Sequence, residues 1–244
     1  MAARRDPRPQ LARRAAAAVT VLALMTPPFA AAAEWPQRTA EAPAATTGKA
    51  GEVKRLSFIS IQDLPSPLRR AIRASLNPND TARTRVADDT PGWPSDTAAL
   101  QASMTSAGRF EITPRDLAGS GFAAMRLLGW RFDDQARPGE AVVALERHFA
   151  RDDGATLVLR EWNYGYGNAA VIVLRERVNA RVAGHPAVLS IDTAPSGRVR
   201  STLSWQDAST DYRITVLDDV DRPAAPSRRY DRRWLLELAR SLGT

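Results

Sequence analysis

The sequence predicts an α+β domain, with an antiparallel meander sheet of about six to seven strands covered by a C-terminal helix and one or two short N-terminal helices. Three observations lead there. From Phe122 to Val216 the apolar residues recur with a period of two, the signature of half-buried strands. The connections between those runs are short and polar, whereas parallel strands need crossovers of about a dozen residues or more. Finally, Tyr230, Trp234, Leu235, Leu238 and Leu242 fall on one broad helical face near the end of the chain.

The elements follow in order. Leu56, Phe58 and Ile61 suggest a short strand, and Ser66 before Pro67 starts a helix whose Leu68, Ile72 and Leu76 recur every four residues until Asn77-Pro78 stops it. The stretch from Asn79 to Thr97, with its prolines and acids, reads as an exposed loop. Asp96 can cap a second short helix carrying Leu100 and Met104 and closing near Gly108.

Seven strands are then expected. Phe122 to Phe132 places Phe122, Leu128, Trp130 and Phe132 on one parity, and Val143, Leu145 and Phe149 share one on the next. Asp152-Asp153-Gly154 is a tight-turn signal leading into ATLVLREW. AAVIVLRERV, PAVLSID, GRVRSTLSW and DYRITVL complete the set, and Ser227 can cap the closing helix from Arg228 to Leu242, which Gly243 ends. In the last two strands Leu203 and Trp205 share parity, as do Tyr212, Ile214 and Val216, while Ser204, Gln206, Arg213 and Thr215 take the other side. Trp205 and Tyr212 therefore read as core beneath the C-terminal helix and not as a ligand platform.

The N-terminus carries a different message. Arg4, Arg5, Arg8, Arg13 and Arg14 precede an apolar run from Ala15 to Met25, Pro27-Pro28 interrupts it, and Ala31 and Ala33 offer a small-residue cleavage site. That order is the pattern of a secretory signal peptide, and the run is too short for a membrane span. The expected organisation is a signal peptide over 1–33, cleaved near Ala33, a disordered leader over 34–51 rich in Ala, Pro and Thr, and a single domain over 52–244. The product is expected in the periplasm or secreted, with no permanent transmembrane helix. The formal charge is +7, but the leading arginines against Asp6 hold more than half of it, so a nucleic-acid partner is not expected. The chain has no cysteine, which excludes disulfides, thiol catalysis and a lipid-modified cysteine anchor.

Several short motifs, taken together, carry a resemblance. They are Gly121-Phe122, the run Val182-Ala183-Gly184-His185-Pro186-Ala187, Leu203-Ser204-Trp205, Tyr212 five positions past Asp207, and the closing helix from Leu235 to Leu242. With these, the segment from about Gly121 to Leu242 resembles a bacterial exported domain family of unknown function found in anti-sigma-factor ectodomains and lipoproteins, distantly similar to the lipoprotein-carrier and sigma-E regulator fold. The resemblance implies an antiparallel sheet packed by a helix and a sensing or binding role. It brings no catalytic residue.

Chemistry-bearing constellations are few. The histidines are His148 and His185, the first on the strand parity opposite Leu145 and the second in a turn before Pro186, and no Gly-x-Ser-x-Gly elbow accompanies them. Both read as ordinary histidines without a catalytic role. Asp218-Asp219-Val220-Asp221 lacks the spacing and glycine of a calcium loop and reads as a solvated turn, so neither a metal nor a cofactor is expected. In EWNYGYGN, Trp162, Tyr164 and Tyr166 alternate on a glycine-permitted loop, where they can stack on a ligand or fold onto the sheet's own core. Arg229, Arg233 and Arg240 form a stripe opposite the leucines of the last helix, suited to an acidic protein, lipid headgroup or acidic polymer, or simply to water.

These readings lead to an exported, non-catalytic binding or regulatory module of the bacterial envelope that works through a protein or envelope partner. A periplasmic carrier of a lipid or other hydrophobic ligand, with a cavity lined from Leu128, Trp130 and Leu203, is the alternative. A hydrolase is the third class.

Overall fold

The computed structural model describes residues 56–75, 82–88, 100, 109–132, 141–166, 171–221 and 231–243. The expected signal peptide and leader lie outside these residues, as does the expected second helix apart from Leu100, which belongs to no regular element. In chain order the elements are β1 (Leu56–Ile59), α1 (Ser66–Ser75), β2 (Arg83–Arg85), β3 (Arg126–Phe132), β4 (Ala144–Ala150), β5 (Thr156–Asn163), β6 (Val171–Leu174), β7 (Ala180–Val182), β8 (His185–Thr193), β9 (Val199–Gln206), β10 (Thr210–Val216) and α2 (Arg232–Arg240).

All seven expected strands form, and the α+β class stands, but the meander does not. The main sheet runs β3-β4-β5-β10-β9-β8, and the outer side of β8 is shared by β7, antiparallel, and β2, parallel. Two antiparallel three-strand units, β3-β4-β5 and β8-β9-β10, are thus joined through β5 and β10, whose register sets Leu159 opposite Ile214. That pairing occupies the edge of β5 on which a meander would have placed β6. β6 instead pairs in parallel with β1 as a separate ribbon, Leu56 opposite Val171. Its sequence fits the change: Val171, Val173 and Leu174 are all buried, the near-continuous apolar run of a strand covered on both faces.

The first long strand also starts later than its sequence suggests. Gly121–Ala124 forms a turn of 3-10 helix capped by the Ser120 hydroxyl, and β3 begins at Arg126 with a register shift between Leu127 and Gly129. Leu127, beside the shift, is 43% exposed. Turn chemistry elsewhere follows expectation. Gly154, at φ 81, closes the β4–β5 hairpin with its N–H donating to the Arg151 carbonyl at 3.0 Å.

One face of the sheet is the core. Phe149 of β4, Leu157 and Leu159 of β5, Ile214 and Val216 of β10, Leu203 and Trp205 of β9, and Leu189 of β8 pack with Phe122 and with Leu235, Leu238, Ala239 and Leu242 around α2. The expected cover is therefore the observed one. Its start differs: Asp231, not Ser227, caps α2, its carboxylate accepting from the Trp234 N–H at 2.8 Å, and Ser227 lies outside the described residues. α1 does not join this core. Its Ile72 packs with Ile61, Leu64 and Leu174, so it belongs with the β1–β6 ribbon. The Glu176 carboxylate holds that junction, accepting from the Ser60 hydroxyl and from the Ile61 N–H at 3.0 Å.

Candidate functional site

The strand rows place charge on both faces of the sheet, with opposite outcomes. On the core face, Arg147 lies in register with Leu159, and Glu161 with Leu145 and Tyr212. Their side chains are 5% and 1% exposed, and Arg147 Nη2 donates to Glu161 Oε2 at 2.6 Å. Glu161 Oε1 accepts the Arg115 backbone N–H at 2.8 Å, and Arg147 Nη1 donates to the Arg115 carbonyl at 2.9 Å. The Arg115 guanidinium reaches on to the Tyr212 hydroxyl at 2.9 Å and Asp207 Oδ2 at 3.3 Å. Burial raises the Glu161 carboxyl above its ordinary pKa against the pull of Arg147, and burial lowers Arg147. The charges of this network are spent on one another and on the loop that carries Arg115, so it holds the sheet end in place.

The opposite face presents a row of charge across four adjacent strands: Arg131 of β3, Glu146 of β4, Arg160 of β5 and Arg213 of β10, followed by Ser204 of β9. Side-chain exposures along it are 30%, 27%, 26% and 24% for the four charged groups, so part of each side chain is open to solvent. Glu146 is shared: its carboxylate oxygens lie 3.7 Å from Arg131 Nη1, 3.9 Å from Arg160 Nε and 3.4 Å from His148 Nε2. Beside the row, the Asp211 carboxylate accepts from Gln206 Nε2 at 2.6 Å, and Asp192 pairs with Arg200 at 2.9 Å.

Arg160 and Arg213 stand directly opposite each other, and like charges at facing positions destabilise a sheet. Arg160 Nη1 and Arg213 Nε and Nη2 are buried and make no hydrogen bond. His148, fully buried on the same face, has neither ring nitrogen in a hydrogen bond. Burial pulls the Arg213 pKa down; Asp211 and Glu146 oppose this, while Arg160 and Arg200 add to it. Buried donors are almost always satisfied in a folded protein, so a cluster of unmet ones is exceptional.

The residues singled out by sequence separate in space. Tyr164 is fully buried against Val171, Val173 and Val188 and its hydroxyl donates to the Asp207 carbonyl, so it is core and not a ligand platform. Tyr166 is 43% exposed. Trp162 is half-buried on the polar face, in register with Asp211. Arg229 lies outside the described residues. Arg233 and Arg240 are exposed on α2, Arg233 donating to Glu237 at 2.8 Å, on the side of the sheet away from Trp162. His148 and His185 sit on β4 and β8 with three strands between them, about 19 Å at ordinary strand spacing. Within Asp218-Asp219-Val220-Asp221, Asp219 binds Arg83 at 2.8 Å and Asp221 lies 3.5 Å from Arg232.

The Arg131–Glu146–Arg160–Arg213 row was missed from sequence, although its parity was visible: Arg213, Ser204 and His148 all alternate with core residues. No family model, curated protein or solved structure matches the chain. Among the described residues no helix is long and apolar enough to cross a membrane, and no group of three or more His, Cys, Asp and Glu is placed to hold a metal ion.

Proposed function

We propose that this chain is a non-catalytic binding or regulatory module of the bacterial envelope that receives its partner on the polar face of the sheet. The observation that carries the reading is the pair Arg160 and Arg213, whose side chains are partly open to solvent while buried guanidinium nitrogens of both make no hydrogen bond inside the fold. On the core face Arg147 lacks a partner only at Nε, whereas facing arginines on the polar face lack them at three nitrogens. Export rests on the basic start, the apolar run and the alanines before Glu34. The carrier alternative draws no support from Leu203, which is fully buried among the side chains beneath α2. The hydrolase alternative draws none from two histidines set apart on different strands.

The test is site-specific photo-crosslinking in the producing bacterium. A photoreactive phenylalanine at position 131, on the polar face, is expected to capture a partner, and one at position 233, on the outer side of α2, is not. Adducts only from position 233, or none from either, would overturn the reading.

A further inference from the structure

We infer that Arg160 and Arg213 together form a binding site for an oxyanion, the carboxylate or phosphoryl group of the ligand that the polar face receives; the inference rests on the binding-face reading above. The two guanidiniums project from facing positions on β5 and β10. Each is a planar fork of five N–H donors, a geometry that matches carboxylate and phosphate oxygens two at a time. Among the described residues neither donates a hydrogen bond, and about a quarter of each side chain stays open to solvent.

The fold's own acids do not fill this role. Glu146 Oε1 is 3.9 Å from Arg160 Nε, beyond hydrogen-bond distance, and Glu146 is also shared with Arg131 and His148. Asp211 Oδ2 stands 3.8 Å from Arg213 Nη2, and its other oxygen is taken by Gln206. A side-chain rotation that closed Asp211 onto Nη2 would still leave Arg213 Nε and Arg160 Nη1 unmet. Arg160 and Arg213 each have a carboxylate nearby, and neither carboxylate comes within hydrogen-bond distance. An anion between the forks removes the Arg160–Arg213 repulsion and satisfies the buried donors in one step.

The second observation is His148. It is fully buried on the same face, next to Glu146 along β4, and has no hydrogen bond at either ring nitrogen. Its Nε2 lies 3.4 Å from Glu146 Oε2, so the histidine competes with Arg131 and Arg160 for the one carboxylate of the row.

The experiment is thermal unfolding of the full chain in phosphate or acetate against chloride at equal ionic strength, with tryptophan fluorescence followed in parallel because Trp162 adjoins Asp211. At about 100 times its dissociation constant the anion is expected to raise the wild-type midpoint by roughly 5 to 10 °C. Phosphate alone acting identifies a phosphoryl ligand, and acetate acting comparably identifies a carboxylate. The shift is expected to vanish in Arg160→Gln and Arg213→Gln and to persist in Arg240→Gln. In chloride, Arg213→Met is expected to melt at or above the wild-type midpoint, because it relieves repulsion; a purely structural arginine would give the reverse. No anion effect on the wild type, or an equal effect in Arg213→Gln, overturns the inference. If no anion acts while the crosslink from position 131 persists, the oxyanion site falls and the binding face remains; if both fail, both readings fall.

Discussion

Trp205 and Tyr212 face each other across β9 and β10 with ring centroids 5.2 Å apart and planes 15° from parallel. Both are buried in the cluster under α2, and the Arg115 guanidinium lies 5.3 Å from the Tyr212 ring centroid. The stack is core, and its polar end is tied to Asp207 and Arg115. Trp205→Ala is expected to cost about 3 to 5 kcal/mol in chemical denaturation. Tyr212→Phe keeps the ring and loses only the hydroxyl's bonds, so it should cost about 1 kcal/mol. Equal losses in the two variants would show that the hydroxyl network, not the ring, carries the stability.

Arg147 and Glu161 form a buried pair in which neither charge has another full partner, so removing one leaves the other stranded. Arg147→Met is expected to destabilise by about 3 to 5 kcal/mol. The double variant Arg147→Met with Glu161→Leu should recover much of that loss, since apolar groups of similar size can replace a buried pair. An additive double variant would mean that the two side chains act independently.

Acid stability should depend on Glu146 and Glu176. For Glu146 burial pushes the pKa up, but His148 at 3.4 Å, Arg160 and Arg131 pull harder, and it ends below 4.5. For Glu176 burial also raises it, and the Ser60 hydroxyl and the Ile61 N–H bring it below 4.5. A carboxyl lowered in the folded state stabilises the fold above its unfolded pKa, and that contribution is lost as pH falls through the folded value. Denaturation midpoints are therefore expected to drop as pH falls below 4.5, and Glu146→Gln should flatten the drop. Glu161 works in the other direction, since its raised pKa makes its ionisation oppose folding as pH rises past 4.5. A wild-type curve that stays level below 4.5 would contradict the assignment.

Strand existence was legible because it is local, and strand partnership was not because it is not. Alternation located β3, β4, β5, β8, β9 and β10, and the Asp153-Gly154 turn fixes Glu146 opposite Arg160 by counting outward from the hairpin. Nothing local fixes Arg160 opposite Arg213, since β6, β7, β8 and β9 intervene between those strands in the chain. The proposed oxyanion site thus depends on a pairing that the sequence could not supply. β1 was expected from Leu56 and Phe58 but its partner was not, and β2 was hidden in the stretch read as an exposed loop, for a related reason. As short parallel additions to β6 and β8, they draw their stability from partners far along the chain. The Arg147–Glu161 pair did leave a local trace. Arg147 shares parity with Leu145 and Phe149, and Glu161 with Leu157 and Leu159, and a charge on an apolar parity signals a buried partner.

The β7–β8 turn carries strain that a substitution can remove. Ala183 and Gly184 both adopt positive φ, 45° and 89°, the backbone of a two-residue turn that favours Asn-Gly. Alanine pays a steric cost in that region and asparagine less, so Ala183→Asn is expected to stabilise the domain by about 1 kcal/mol. The midpoint should move and the denaturant slope should not. A loss of stability would mean that the Ala183 side chain makes a contact worth more than the strain.

A tight fit between the turn before β3 and the helix that covers the sheet lies at Gly121. A Cβ built there would stand 2.7 Å from Leu238 Cδ1, and the Gly121 N–H donates to the Ser241 hydroxyl at 2.9 Å, so the capped turn before β3 and the end of α2 fit only because residue 121 has no side chain. Leu238 is buried at 4% exposure beside Leu235 and Phe122, which leaves its methyl little room to retreat. Gly121→Ala should therefore cost about 1 to 3 kcal/mol through overpacking. Leu238→Ala alone should cost about 2 to 5 kcal/mol through the cavity it leaves. Combined, the two should cost less than their sum by about 1 kcal/mol or more, because the new methyl occupies space that Leu238 has vacated. Strict additivity in this cycle would show that Gly121 and Leu238 do not meet in solution, and that α2 sits on the sheet in a different place.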